Sequence, residues 1–175
     1  MCIRDSVNTD STFADATRPD LVIDGNRVLV AWEDTRSGQP DIFVNVSLNG
    51  GATYRASSAR ADLGDLGGAS PSFTPRIAVG TDGVLVTWRD RRNGEGDIWF
   101  NHSFDLGLTF QPNDVRVDVG TAGAPSPAGG ADSRSPFLFA TAGGDRATVV
   151  WVDNRTAAGV TGVNGDIYTN GVEAP

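Results

Sequence analysis

Residues 88–110 (WRDRRNGEGDIWFNHSFDLGLTF) decide the fold, because most of the remaining sequence either copies this stretch or connects two copies of it. Residues 32–54 (WEDTRSGQPDIFVNVSLNGGATY) repeat its spacing without a gap. A looser third copy begins at Trp151 (WVDNR) and resumes at Asp166 (DIYTN) after an insertion. Repetition at this period indicates units that bury their faces only against neighbouring units, as in propellers and solenoids.

Each copy also extends backwards to a proline, at Pro19, Pro75 and Pro136. A short apolar run comes first, a β-branched run ending on tryptophan follows a turn, and a third run begins at an Asp-Ile pair. The first two copies add a fourth run, at 59–63 and 115–119. Four short strands joined by turns are typical of a propeller blade. The sequence therefore predicts an all-β fold, a partial β-propeller of about three four-stranded antiparallel blades with the third incomplete.

The repeats divide the chain into segments. Residues 1–6 (MCIRDS) are similar to a translated sequencing adapter, so we expect them not to belong to the natural protein and its true start to be missing. The sequence then predicts a remnant of a preceding blade at 7–18, blade one at 19–74, blade two at 75–135 and the incomplete blade three at 136–175. We expect such an open arc to expose apolar side chains on its outer faces.

Composition excludes several functions. All 14 basic residues are arginine, against 22 acidic residues, and the net charge of −8 argues against a nucleic-acid partner, which needs clustered basic residues. Cys2 is the only cysteine, so no internal disulfide forms. No apolar run is long enough to span a membrane. No motif for a cofactor is present.

Two turns share the pattern S-x-D-x-G-x-T-F, with Asn for Asp and Tyr for Phe in the first. A short carboxylate or amide side chain in such a turn accepts backbone N–H bonds, glycine tolerates positive φ, and the hydroxyls satisfy further backbone groups. The closing aromatic residue then covers the turn. The positions are Ser47, Asn49, Gly51, Thr53 and Tyr54 in the first turn, and Ser103, Asp105, Gly107, Thr109 and Phe110 in the second.

These turns resemble the Asp-box of the sialidase-like (BNR repeat) β-propellers, and the resemblance covers about residues 7–170. It implies that each box joins the third and fourth strands of a blade and is structural, on the rim away from the active site. Asn49 departs from the family's pattern. With this resemblance we expect an extracellular or cell-surface protein.

The pattern W-x-D-x-R occurs once in every copy. Alternation along an extended strand places its three side chains on one side. An active site needs different residues from different blades, so we interpret the pattern as structural: the tryptophan packs between blades, and Asp and Arg form a hydrogen-bonded ladder. The alternative is a ring of charges that binds an anionic sugar. The residues are Trp32, Asp34, Arg36, Trp88, Asp90, Arg92, Trp151, Asp153 and Arg155.

Enzymes of the sialidase-like family that this chain resembles use an arginine triad, a tyrosine nucleophile activated by glutamate, and an aspartate as acid and base. Tyr54 closes a box and Tyr168 lies in a third strand, and neither has an evident glutamate partner. We therefore assign no catalytic residue. Arg18, Arg76 and Arg134 each flank the proline before a first strand and are the candidates for ligand binding.

Two further features do not lead to a site. His102, the only histidine, lies within a strand, and we interpret it as a strand residue. Asp90, Asn93, Glu95 and Asp97 carry oxygens of the kind that calcium prefers, but their spacing is not that of an EF-hand loop. Only the two aspartates have counterparts in the first copy, so we assign no metal site.

Two hypotheses for the function stay open. The first is a non-catalytic propeller module, a scaffold that binds glycans or proteins through the face on which the first strands begin. The second is a part of an exo-α-sialidase or related glycoside hydrolase whose catalytic blades lie outside this sequence. A resemblance in fold does not decide between them.

Overall fold

The structure is a computed structural model that describes residues 6–8, 14–80, 83–119, 132–140, 146–153 and 166–173. Every regular element in these ranges is a β-strand. No helix capable of crossing a membrane occurs among these residues. The strands are β1 (Ala16–Asp24), β2 (Arg27–Asp34), β3 (Asp41–Ser47), β4 (Ala59–Arg60), β5 (Ser72–Val79), β6 (Val84–Asp90), β7 (Asp97–Ser103), β8 (Val115–Arg116), β9 (Ser133–Ala140), β10 (Arg146–Asp153) and β11 (Asp166–Glu173).

The strands form three antiparallel sheets, in the orders β1-β2-β3-β4, β5-β6-β7-β8 and β9-β10-β11. Consecutive strands pair side by side in each sheet, and the first strands of successive sheets contact each other, β1 with β5 and β5 with β9. Meanders of this kind, arranged side by side with their first strands adjacent, are the blades of a β-propeller. The prediction of an all-β, partial propeller is therefore confirmed.

The first strands begin earlier than the prolines at which the sequence analysis started each blade. They start at Ala16, Ser72 and Ser133, so the predicted segments 7–18, 19–74 and 75–135 each end inside the first strand of the following sheet. Because a proline lacks the N–H that continuous strand pairing uses, the register between the first and second strands changes at the proline.

The register changes by a β-bulge in which two residues of the first strand oppose one residue of the second. The single opposing residue is in each case the tryptophan of the W-x-D-x-R pattern. The pairs that bulge are Arg18-Pro19 opposite Trp32, Thr74-Pro75 opposite Trp88, and Ser135-Pro136 opposite Trp151.

The core lies between the sheets, where Trp88 and Trp151 pack. Trp88 is fully buried in an apolar cluster that includes Leu29 and Val44 of the first sheet. Trp151 lies in a second cluster with Phe100 of the second sheet. Each of these tryptophans therefore contributes to the contact between its own blade and the preceding one.

Matched asparagines of the third strands bind the preceding blade. Asn101 Nδ2 donates a hydrogen bond of 2.9 Å to the carbonyl of Ala61, just beyond β4. Asn45 Nδ2 donates one of 2.9 Å to the carbonyl of Val7. Val7 thus has the same relation to the first sheet as Ala61 has to the second.

Large apolar side chains are exposed on strands of the first and third sheets. They are Leu21 and Ile23 of β1, Phe137 and Phe139 of β9, and Ile167 of β11.

Trp88→Ala is expected to lower the free energy of unfolding by about 3 to 5 kcal/mol, because a fully buried indole between two sheets leaves a cavity. Leu66→Ala is the control, since Leu66 is 82% exposed and its truncation should change stability by less than about 0.5 kcal/mol. Urea unfolding followed by circular dichroism measures both variants. Equal midpoints would contradict this assignment of the core.

Candidate functional site

A concave surface of about 440 Å³ opens at the end of the propeller where the first strands begin. We call it the arginine cleft. In a chain of net charge −8, it is a local concentration of positive charge. Its lining residues come from all three sheets and the segments beside them: Arg18, Phe73, Thr74, Arg89, Arg91, Asp132, Arg134 and Ser135.

The β-bulges place one residue of each blade at this cleft. Arg18, Thr74 and Ser135 each precede a proline, and their φ angles are 49°, 49° and 53°. A positive φ costs a residue other than glycine about 1 to 3 kcal/mol, and such strain is concentrated at functional sites. A bulge also changes the direction of the side chains that it contains. The same distortion that accommodates the tryptophans therefore shapes the cleft.

A buried carboxylate holds Arg18. Arg18 Nη1 donates to Glu33 Oε2 at 2.6 Å, and the side chain of Arg18 remains 58% exposed while that of Glu33 is 3% exposed. Glu33 Oε1 accepts a hydrogen bond of 2.6 Å from the backbone N–H of Thr74. Glu33 thus joins the bulges of the first and second sheets.

Arg89 joins the second and third sheets at the same level. Its Nη2 lies 2.5 Å from Asp132 Oδ1, and its Nε donates to the carbonyl of Ser133 at 3.1 Å. Gly96 makes room for this contact, because a Cβ there would lie 2.2 Å from Arg89 Nε. The charge of Arg89 is therefore paired within the protein.

Two exposed arginines favour binding of an anion at the cleft. Arg91 and Arg134 are exposed, and Arg91 forms no ion pair with any described residue. Asp132 is the only carboxylate among the described residues that line the cleft. Glycoside hydrolysis uses two carboxyl groups about 5 to 10 Å apart. The cleft as described has the groups to bind an acidic ligand and lacks that pair.

The three arginines predicted from the sequence do not meet at one place. Arg18 and Arg134 line the cleft. Arg76 lies in a second concave surface, of about 590 Å³, along the first strands, with its guanidinium 5.4 Å from the ring centroid of Phe137. Arg76 follows its proline, whereas Arg18 precedes one, so the bulge separates them.

The sequence analysis missed Arg89 and Arg91. Both lie between the recurring positions of the W-x-D-x-R pattern in the second copy. The copies differ there: Arg89 corresponds to Glu33 in the first copy and to Val152 in the third. Variation inside a repeated pattern is the signal that would have found them, since a site needs different residues from different blades.

The recurring side chains that the structure describes do not line the cleft. Trp88 Nε1 donates to Asp90 Oδ2 at 3.2 Å, and Arg92 Nη2 lies 2.5 Å from the same oxygen. Arg92 also pairs with Asp114 at 2.7 Å, and Asp114 accepts the N–H of Gly64 in the first blade at 2.8 Å. This network of hydrogen bonds crosses from one blade to the next.

The other copies repeat parts of the network. Trp32 Nε1 donates to Asp34 Oδ2 at 3.0 Å, and Arg36 Nη2 lies 2.6 Å from that oxygen. In the third copy, Trp151 and Asp153 are buried. Arg155 and the side chain of Tyr168 fall outside the described part of the chain.

The two box turns, at 47–54 and 103–110, follow the third strands and lie at the opposite end of the sheets from the cleft. Asp105 Oδ1 accepts the N–H groups of Leu108 and Thr109 at 3.0 and 2.8 Å, and Oδ2 accepts the Thr109 hydroxyl at 2.6 Å. In the first turn Asn49 Oδ1 accepts the N–H of Thr53 at 2.9 Å.

Ser47 and Ser103 bind the glycines of these turns. Ser103 Oγ accepts the N–H of Gly107 at 2.8 Å, and Ser47 Oγ accepts that of Gly51 at 2.9 Å. Both glycines need their positive φ, of 81° and 85°. Phe110 is buried in the cluster between the first two sheets. Burial alone would raise the pKa of Asp105, but hydrogen bonds from Thr109 and Ser103 outweigh it and lower that pKa to about 2.

His102 lies between two aromatic rings, with centroid distances of 6.1 Å to Phe100 and 4.6 Å to Phe104. Burial lowers the pKa of its imidazole, which is therefore neutral at pH 7.

No cluster of three His, Cys, Asp or Glu side chains suited to a metal ion occurs within the described ranges. Asp97 is bound by Arg116 at 2.6 Å and by Asn93 at 2.8 Å.

Comparison with known proteins gives a likeness in structure only. No family model and no curated protein sequence matches this chain. A thermostable family-43 glycoside hydrolase is similar over 95% of this chain and 51% of its own, with a TM-score of 0.52 and 11% identity. The endo-arabinase of Bacteroides thetaiotaomicron VPI-5482 is similar over 89% of this chain and 55% of its own, with a TM-score of 0.56 and 10% identity.

A structure from the GH130 family of mannoside phosphorylases is similar over 88% of this chain and 48% of its own, with a TM-score of 0.50 and 15% identity. The chain has a propeller fold. At these identities the likeness shows the fold alone. The chain spans about half the length of these neighbours.

Asp105→Ala is expected to lower the free energy of unfolding by about 1 to 3 kcal/mol, because the N–H groups of Leu108 and Thr109 lose their acceptor. Asp24→Ala is the matched control, since Asp24 is partly exposed and takes part in a short-range ion pair with Arg27. Urea unfolding measures both. An unchanged midpoint for Asp105→Ala would show that the turn does not depend on this carboxylate.

The contribution of Asp105 should also depend on pH. Its pKa of about 2 in the folded protein lies below the ordinary value of 3.8, so its ionised form stabilises the fold above that value and the stabilisation is lost as the pH falls through about 2. Asp105→Asn copies Asn49 and removes the titration. The stability difference between wild type and Asp105→Asn should shrink between about pH 5 and about pH 2. A constant difference would contradict the low pKa.

Proposed function

We propose that this chain is part of a sialidase-like (BNR repeat) propeller that acts as a non-catalytic scaffold and recognises acidic glycans through the arginine cleft. The observation that carries the proposal is the convergence of four arginines and one carboxylate on a concave surface of about 440 Å³. Pockets for small ligands have volumes of about 300 to 1,000 Å³. A monosaccharide or disaccharide unit has a suitable size.

The side chains of the cleft suit a carboxylate or sulfate group. Guanidinium groups bind such planar or branched oxyanions by paired N–H bonds. Arg91 is exposed and has no ion pair among the described residues, and Arg134 is exposed beside it in the lining. The rest of the chain is acidic, with a net charge of −8 overall, and disfavours anions elsewhere on its surface.

Two further observations support a sugar as the carrier of that anion. Phe73 provides an apolar surface in the lining, against which the face of a sugar ring can pack. The solved structures with the same fold include glycoside hydrolases, whose ligands are saccharides. The box turns resemble those of sialidase-like propellers.

An extracellular or cell-surface location follows from this proposal, because acidic glycans are displayed there.

A second candidate function is part of an exo-α-sialidase or related glycoside hydrolase. It is favoured by one observation: the chain spans about half the length of the glycoside hydrolases that share its fold. In that case the catalytic carboxylates and the tyrosine would lie in blades outside this sequence. A longer gene with a tyrosine and glutamate downstream, and release of sialic acid by its product, would favour the enzyme.

Arg91→Ala and Arg134→Ala are each expected to weaken binding of sialyllactose by about tenfold, because each removes one charged partner of the sugar carboxylate. Arg27→Ala is the matched control, since Arg27 lies at the far end of β1 and β2 and should leave affinity unchanged. Isothermal titration calorimetry measures the affinities, with lactose as the neutral reference. Equal affinity for lactose and sialyllactose would contradict the proposal.

A further inference from the structure

Glu33 is a carboxylate buried where the fold does not require one. It is 2% exposed and lies on the face of β2 that packs against the second sheet. The matched residues in the other copies are Arg89 and Val152. Because replacing a buried charged group by a well-packed apolar one is often neutral or stabilising, packing alone does not account for a glutamate here.

The two oxygens of Glu33 bind different blades. Oε2 accepts Arg18 Nη1 at 2.6 Å and the Thr17 hydroxyl at 3.3 Å, both from the first strand of its own blade. Oε1 accepts the backbone N–H of Thr74, in the first strand of the second blade, at 2.6 Å. One carboxylate therefore fixes a side chain of the first blade relative to the backbone of the second.

Both principal partners line the arginine cleft. Arg18 and Thr74 are the bulged residues before matched prolines, and each has a φ of 49°. The ion pair to Glu33 leaves the Arg18 side chain 58% exposed, so that it can still meet a ligand. Glu33 itself is buried and does not line the cleft. Its effect on a ligand would pass through Arg18 and the bulge at Thr74.

We propose that Glu33 is the positioning residue of the arginine cleft. Its carboxylate holds the guanidinium of Arg18 and the Thr74 bulge in the arrangement that receives an acidic glycan. The inference rests on the proposed function for the identity of the ligand. A long arginine side chain loses conformational freedom when it binds, and a fixed partner removes part of that loss before the ligand arrives. Glu33 contributes orientation, and Arg18 makes the contact.

Affinity for sialyllactose in a double-mutant cycle tests this coupling. Arg18→Ala and Glu33→Gln should each weaken binding by about tenfold. The double variant should stay within about threefold of Arg18→Ala, because most of the effect of Glu33 passes through Arg18 and only the part that passes through the Thr74 bulge remains. Additive losses of about a hundredfold would overturn the proposal. So would a Glu33→Gln protein that fails to fold, because it would make Glu33 a packing residue.

A second readout does not need a ligand. The rate at which phenylglyoxal modifies Arg18, read by mass spectrometry with Arg91 as the internal reference, should rise by at least about threefold in Glu33→Gln, because the ion pair that shields Arg18 is gone. An unchanged rate would overturn the positioning role. If the wild-type protein binds no sialyllactose, the proposed function fails, and the modification rate still decides whether Glu33 holds Arg18.

Discussion

A buried tryptophan in the second blade and another in the third, each packed against the preceding sheet, constrain the rest of the structure. Trp88 is fully buried at the end of β6, and the first strand must place two residues opposite it. The resulting bulge forces Thr74 into positive φ. The indole N–H needs an acceptor in the interior, which Asp90 supplies, and Asp90 in turn orients Arg92. A single aromatic side chain thus determines the path of the first strand and the ion pairs at the end of the sheet.

Paired charges at the ends of the strands hold the blades in register. The arginine cleft lies beside these pairs, where arginine side chains are exposed. Asp90 and Arg92 are bonded within the second blade and reach the first blade through Asp114. At the level of the bulges, Glu33 and Arg89 each bridge two sheets. A buried charge without a partner would destabilise the folded state, so each of these charges is paired with another group of the protein. The neighbouring exposed arginines face solvent and are suited to an anionic ligand.

The period and turn pattern of the sequence were sufficient for the fold, because a repeat carries its own strand spacing and interface. They were not sufficient for the strand starts, because the sequence predicts a blade boundary at Pro19 and the bulge lets β1 run through that residue. Arg18 lines the cleft, whereas Arg76 lies in the second concave surface, because the bulge sets which side chains of successive blades meet. Arg89 and Arg91 were not predicted, because a repeated pattern points to the positions that recur and the cleft uses positions that vary between the copies.

The proposed binding of an acidic glycan's carboxylate in the arginine cleft can be observed directly. The most direct measurement is a crystal structure of the protein soaked with sialyllactose at a concentration well above its dissociation constant. We expect carboxylate oxygens within about 3 Å of the guanidinium groups of Arg91 and Arg134. A saccharide bound at another surface, or a cleft that stays empty while the ligand is saturating in solution, would contradict it.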